Sequence, residues 1–174
     1  AGSWSSPAAR GNVDNFGFFA NSGYKFSDDT ILSFYGRGDN HKTTGLNSTY
    51  KINLTKFVGK FKLGLTQSTG LRNPSLYELY GSNGRTDSYK IVANPNADPE
   101  KSRTNELKVK YSFNDSLSFE NTFYRSFIED ALLYDSSYKG GSGYTNNKSD
   151  LKQDGIESNI VFKNKKQKLS IFNT

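Results

Sequence analysis

The chain of 174 residues has no cysteine, no methionine, one histidine, one tryptophan and four prolines. Without cysteine there is no disulfide framework, no thiolate nucleophile and no cysteine zinc site. One histidine, His41, excludes a histidine-rich metal site. Its loop, Gly38-Asp39-Asn40-His41-Lys42, is polar and reads as solvated. No run of about 18 apolar residues occurs, so there is no transmembrane helix. No long stretch carries Ala, Leu and Glu at helical spacing, which excludes a helical bundle. The first residue is Ala, not Met, and no charged-then-apolar leader follows. A processed or truncated piece of a longer product is therefore expected.

The residues that are present point to strands. Hydrophobic residues are only 33%, yet aromatics reach 14%, with 13 Phe and 11 Tyr. Disordered chains are poor in aromatics. A polar chain rich in aromatics and short hydroxyl or amide residues suits strands that are apolar on one face. Period-two alternation recurs eight times. Phe16, Phe18, Ala20, Ser22, Tyr24 and Phe26 form the first apolar phase, and Leu32 and Phe34 the second. Leu46, Tyr50, Ile52 and Leu54 form the third, and Phe57, Phe61, Leu63 and Leu65 the fourth. Leu107, Val109, Tyr111 and Phe113 make the fifth, and Leu117, Phe119, Phe123 and Phe127 the sixth. Ile156, Ile160 and Phe162 make the seventh, and an eighth opens at Leu169 and Ile171. Side chains of a strand alternate between faces, so each run has an apolar and a polar side.

The links between runs alternate in length. Short ones carry turn residues: Ser27-Asp28-Asp29, the region of Phe57-Val58-Gly59, Asn114-Asp115-Ser116 and Asn164-Lys165-Lys166. Long ones span about Gly38–Gly45, Arg72–Arg103 and Glu129–Asp150. The expected fold is all-β: an antiparallel transmembrane β-barrel segment of about eight strands, with short periplasmic turns and long extracellular loops. Phe61, Leu63, Leu65, Leu107, Val109, Phe119 and Phe123 should face lipid, with Lys62 and Lys110 opposite. Links 72–103 and 129–150 should lie at one sheet end, with 27–29, 114–116 and 164–166 at the other, so that Asp28 and Asn83 are far apart.

Little points to catalysis or to other partners. Glu129-Asp130 and Asp28-Asp29 are adjacent carboxylates that point apart in a strand. Asp87, Asp98, Asp135 and Asp150 lack the ligand spacing of a calcium loop. No catalytic set emerges, so an enzyme is not expected, and no cofactor is implied. The net charge of +6 is spread through polar faces and loops, while the aromatics sit on the apolar face. A nucleic-acid surface is therefore not expected.

The longest loop is the most distinctive segment. It opens Thr69-Gly70-Leu71-Arg72-Asn73-Pro74-Ser75-Leu76-Tyr77-Glu78-Leu79-Tyr80-Gly81. It closes Asn94-Pro95-Asn96-Ala97-Asp98-Pro99-Glu100-Lys101-Ser102-Arg103-Thr104-Asn105-Glu106-Leu107. Tyr124-Arg125, Ile128-Glu129-Asp130 and Gly155-Ile156-Glu157 follow in order. Over about Asn15–Phe162 this resembles the barrel of TonB-dependent outer-membrane receptors of the vitamin B12 and siderophore type. Leu71, Asn73 and Ala97 are mild departures from that pattern.

The resemblance implies a partial barrel of an active-transport receptor in a Gram-negative outer membrane, spanning residues 1–174, with the plug and further strands absent. Its partners would be membrane lipid, the TonB complex through the missing plug, and a small nutrient such as a siderophore-iron or cobalamin chelate. The signature Arg72, Pro74, Ser75, Leu76, Glu78, Leu79, Tyr80, Asn94, Pro95, Pro99, Glu100, Ser102 and Glu106 reads as architectural. The prolines stop the strands from pairing on. Glu78 and Glu100 are placed to accept from loop backbone or from Arg72 and Arg103. The ligand candidates are Tyr77, Tyr80, Tyr89, Tyr134, Tyr138 and Tyr144, since aromatic rings on outer loops stack on flat or apolar ligands. An interfacial aromatic girdle explains these tyrosines equally well. The alternatives are a complete eight-stranded barrel serving as adhesin or anchor, and a soluble β-sandwich. A fragment of a larger barrel would carry two open edges and be unstable or aggregate alone.

Overall fold

The computed structural model describes residues 14–42, 44–82, 90–163 and 168–173. In chain order the elements are β1 (Asn15–Ser27), β2 (Thr30–His41), β3 (Gly45–Val58) and β4 (Phe61–Arg72). A short helix α1 (Leu76–Tyr80) and β5 (Ile91–Val92) follow, then β6 (Glu100–Ser112), β7 (Leu117–Glu129) and β8 (Leu132–Asp135). A 3-10 turn at Tyr138–Gly140 leads to β9 (Ser142–Asn146), β10 (Leu151–Lys163) and β11 (Lys168–Asn173). Eight strands form one antiparallel sheet in the order β1-β2-β3-β4-β6-β7-β10-β11. The remaining three form a small sheet, β5-β9-β8, with β5 parallel to β9.

The register accounts for the alternation. One row of cross-strand partners runs Leu32, Leu54, Leu65, Leu107, Phe123, Ile156. The neighbouring row, displaced by one residue and so on the opposite face, runs Ile31, Thr55, Gly64, Lys108, Thr122, Glu157. Lys62 pairs with Lys110 in that second phase, and Leu63 with Val109 in the first. The expected apolar set therefore shares one face. Leu65 and Leu107 are exposed there, whereas Thr55 and Thr122 on the polar face are buried. A broad concavity of about 1090 Å³ crosses the apolar face, with Leu32, Leu54, Leu65, Leu107, Phe123 and Ile156 along it.

Residues 28–29, 59–60 and 113–116 turn the chain at one sheet end. At the first turn the Lys56 ammonium, 2.8 Å from Asp29, with the Ser27 and Thr30 hydroxyls, holds that carboxyl well below the usual carboxylate range. Strand direction places α1 and the β7–β10 link at the other end. Asn83 and the 164–166 link lie outside the described residues.

Several expectations need correction. The link expected at Gly38–Gly45 is only 42–44, because β2 continues to His41. His41 is not a solvated loop residue. It is buried at the strand end, and its Nδ1 accepts from the Thr44 amide at 3.3 Å. The alternation fades after Phe34 because Gly36, Gly38 and Asn40 follow in the phase of Leu32 and Phe34 without an apolar side chain to mark it. Gly38 leaves room for the Phe18 ring, and Gly17 for the Asp39 carboxylate that Arg37 grips at 2.7 Å. Residues 100–103 also belong to β6, and the Glu129–Asp150 link holds two strands of its own. Among the described residues β1 pairs only with β2 and β11 only with β10, so the sheet is open rather than a closed eight-stranded barrel.

Candidate functional site

The two long links fold against each other into a cap at their end of the sheet. Pro74 precedes the helix, and Ser75 caps it. The Glu78 amide donates to Ser75 Oγ at 3.3 Å, and the Ser75 amide donates back to Glu78 Oε2 at 2.7 Å. This reciprocal pair satisfies two helix-end donors. After Tyr80, Gly81 adopts a φ of +64°, and a side chain there would run into the Ile91 carbonyl. Leu79, Ala97 and Leu132 form the buried centre, with Tyr80 and Tyr144 packed on it. Leu79 comes from one link and Leu132 from the other, so neither link closes its core alone.

Arg72, the last residue of β4, ties the cap to the sheet. Its Nε and Nη2 donate to Glu100 at 2.6 and 2.8 Å, and its Nη1 and Nη2 to Glu78 at 3.1 Å. Glu100 also accepts from the Leu132 amide at 2.7 Å, which carries the connection to the second link. Burial raises the Glu78 pKa, but Arg72 and the Ser75 amide outweigh it, so the carboxyl stays below its ordinary value. Arg103, the other expected donor, does not join this node. It faces the Phe127 ring 5.7 Å away.

Asparagines stitch the links further. Asn94 Nδ2 donates to the Tyr144 carbonyl at 3.0 Å. Asn146 Oδ1 accepts from the Asp98 amide, and its Nδ2 donates to the Asp98 and Asp130 carbonyls at 3.0 and 2.7 Å. Pro95 and Pro99 lack amides, and between them the Ala97 amide donates to the Asn94 carbonyl and the Asp98 amide to Asn146. Thr44 Oγ1 donates to Asn73 Oδ1 at 2.9 Å, so the departure at Asn73 fastens the 42–44 link to the cap. Ser102 leans over Gly70, where no side chain would fit, and Leu76 opens the helix. Glu106 lies lower on the polar face, opposite Thr66 and Tyr124.

The tyrosines divide by position. Tyr144 meets Tyr77 and Tyr134 edge to face, with centroids 6.3 and 5.8 Å away. Tyr77 and Tyr134 are 43% and 57% exposed and form the outer ends of this ladder. Tyr80 and Tyr144 are half-buried and mainly pack the cap. Tyr138 stands apart, covered by the Lys139 ammonium at 5.1 Å. Tyr89 and Asp87 lie outside the described residues. Asp98, Asp135 and Asp150 do not converge, and among the described residues no three His, Asp or Glu could hold a metal. Asn146, Gly81 and Leu132 escaped the sequence reading. The hydrogen-bond partners of Asn146 and Leu132 are 16 to 48 residues away, Gly81 depends on a backbone angle, and only the glycine offered a local cue.

The chain belongs to the TonB-dependent receptor-like β-barrel family, whose sequence model matches residues 2–172. Its fold is similar to the siderophore receptor PirA of Pseudomonas aeruginosa, with TM-score 0.73 and 21% identity over 86% of this chain and 28% of that one. It is similar also to the ferric enterobactin receptor PfeA of Pseudomonas aeruginosa, with TM-score 0.72 and 20% identity over 86% of this chain and 25% of that one. The hemophore receptor HasR of Serratia marcescens, in complex with its hemophore HasA and heme, gives TM-score 0.74 and 16% identity over 87% of this chain and 32% of that one. The chain thus spans between a quarter and a third of the length of these structures. No curated protein matches it in sequence.

Proposed function

We propose that this chain is a stretch of wall and outer loops from an outer-membrane receptor that imports a scarce nutrient, a siderophore-bound iron, cobalamin or similar chelate. The apolar face meets lipid and the polar face lines the lumen. The short turns face the periplasm, and the cap stands outside the cell. The rest of the barrel and a plug complete the receptor, and the TonB complex drives release through the plug. The observation that carries this reading is the family match over residues 2–172, joined to a sheet that folds its two long links into one aromatic cap at a single end. Tyr77 and Tyr134 are the exposed ends of a ladder braced by Tyr144, a suitable platform for a flat or apolar chelate.

The test is uptake of labelled ferric siderophores and cobalamin by cells carrying the full-length receptor or lacking it. Deletion is expected to abolish uptake of one chelate, and a protonophore to stop uptake while surface binding persists. Tyr77→Ala with Tyr134→Ala is expected to weaken binding roughly tenfold, the scale of one to two lost aromatic contacts. Uptake of every chelate unaffected by deletion would overturn the proposal.

A further inference from the structure

The polar face of the sheet carries two furrows, one above the other. The outer one, about 370 Å³, runs from Tyr35 and Lys51 to Lys62 and Lys108. The inner one, about 530 Å³, runs from Lys110 to Lys60 and Lys163 beside the short turns. Lys62 and Lys110 are cross-strand partners, so the furrows meet there. Gly64 adds no side chain between Lys62 and Thr66, which keeps the floor of the outer furrow low. Three lysines and one carboxylate, Glu106, line the outer furrow, and three lysines and one carboxylate, Asp115, the inner.

The order of these cations is the unexpected feature. Register places Lys51 level with Ser68, Lys108 level with Gly64, and Lys110 level with Lys62. Lys60 follows at the turn, where its carbonyl accepts from the Ser112 amide and its ammonium donates to the Phe113 carbonyl at 2.8 Å. From Ser68 to Lys60 is eight residues, about 27 Å of extended chain. Successive cation levels are about 7–14 Å apart, so an anion on this wall is always within about one Debye length, roughly 8 Å, of one of them. At the outer end of the same face the arginines are matched, Arg37 by Asp39 and Arg72 by Glu78 and Glu100. Further down the matching stops. Glu120 lies 3.5 Å from Lys108, whereas Lys51, Lys62 and Lys110 have no carboxylate at ion-pair distance among the described residues. Like charges directly opposite each other weaken a sheet, so Lys62 facing Lys110 destabilises the wall until an anion lies between them.

We propose that these lysines form a track along which an anionic nutrient moves from beneath the cap to the periplasm. The ligand class follows from the charge. A metal held by carboxylates or catecholates carries net negative charge, whereas an uncharged chelate gains nothing from the row. The track rests on the receptor reading above, since it needs the polar face to line the lumen and the short turns to face the periplasm. Lysine suits passage better than arginine: its ammonium is a compact point charge on a flexible stem, while the arginine fork grips a carboxylate in one geometry. Conduction needs sites that bind well enough to admit an ion and weakly enough to release it. Single ammoniums that hand the ligand from one level to the next meet that condition. Tyr35, the cross-strand partner of Lys51, stands at the outer mouth.

The experiment uses the full-length receptor in cells, with surface binding measured after energy depletion and uptake measured in respiring cells. The probes are two anionic chelates, ferric enterobactin and ferric citrate, and two uncharged ones, ferrichrome and cyanocobalamin. Receptor-dependent uptake is expected for an anionic probe only. Lys62→Gln with Lys110→Gln is expected to slow that uptake roughly three- to tenfold, the scale of two exposed charge contacts, and to leave surface binding unchanged. Lys62→Arg with Lys110→Arg keeps both charges and is expected to recover most of the rate. Lys25→Gln removes an ammonium that pairs with Asp28 away from the track and is expected to change neither readout. Should the double variant fail to fold, Lys51→Gln alone gives the same reading at the outer mouth. Uptake restricted to ferrichrome or cyanocobalamin overturns the track, as does unslowed uptake in the glutamine variants. Entry of vancomycin into cells carrying the double variant would mean that the lysines hold the plug in place, and overturns the track too. A receptor that imports a chelate while failing these tests refutes the track alone, whereas uptake of all four probes unaffected by deletion refutes the receptor reading itself.

Discussion

Tyr124 and Gly155 are cross-strand partners on β7 and β10, and the Tyr124 phenol fills the space in which a side chain on Gly155 would stand. Two sequence signatures thirty residues apart are thus one packing unit on the polar face. Gly155→Ala should force the ring from its place and destabilise the sheet by about 1 kcal/mol, at the mild end of overpacking because the ring can swing. Tyr124→Ala should remove that cost, so the double variant should be more stable than the sum of the singles indicates. Urea unfolding of the refolded receptor and its variants measures the coupling, and additive effects would refute it.

Acid should loosen the cap before it unfolds the sheet. The folded-state pKa of Glu78 is depressed, so its contribution is present above the ordinary glutamate value of about 4.3. It is lost as pH falls through the folded-state value, when the carboxylate that holds Arg72 and the Ser75 amide becomes protonated. Amide exchange at Ser75 and Leu79 should accelerate below pH 4 in the parent, and Glu78→Gln should flatten this profile. Arg72→Ala should cost about 1–3 kcal/mol, because it leaves Glu78 buried and Glu100 partly buried without their cation. Arg72→Lys should recover only part of it, since an ammonium cannot fork between two carboxylates.

Protease applied to intact cells should cut on one side only. Lys139, at a φ of +47° in the β8–β9 connection, is a suitable trypsin site on the cap. Lys25 and Lys60, at the short turns, should be cut only after the outer membrane is opened. Mass mapping of the peptides distinguishes these patterns. Cleavage at Lys60 in sealed cells would invert the orientation.

The sheet was legible because its signal is local. Alternation and turn residues fixed the eight long strands, and the phase of Leu63 and Val109 fixed their faces. Where alternation is interrupted, at Gly36, Gly38 and Asn40, the pattern ends β2 too early and puts His41 in a loop. The cap was only half legible. Its capping box is a local pattern, and Arg72 with Glu78 and Glu100 was anticipated. The β5–β9 pairing and the contacts of Asn146 and Leu132 were not, because they join segments well apart in the chain through backbone groups that every residue carries. Lys101 and Arg103 are misplaced for a different reason. The long link is expected to run to Arg103, which leaves both in a loop until the register puts them on the apolar side of β6.

The ends of the segment between Ser82 and Ile91 are clasped together. The Ser82 amide donates to the Ile91 carbonyl at 3.0 Å, and the Ile91 amide donates to Ser82 Oγ at 2.7 Å. These two hydrogen bonds close the stem through residues 82 and 91 alone. The stretch it carries is therefore free to change in length and composition, since lengthening a loop whose ends already meet adds only a slowly growing entropic cost. That makes 83–90 a natural grafting position, where a tag, an epitope or a new recognition sequence can be displayed while the cap beneath keeps its shape.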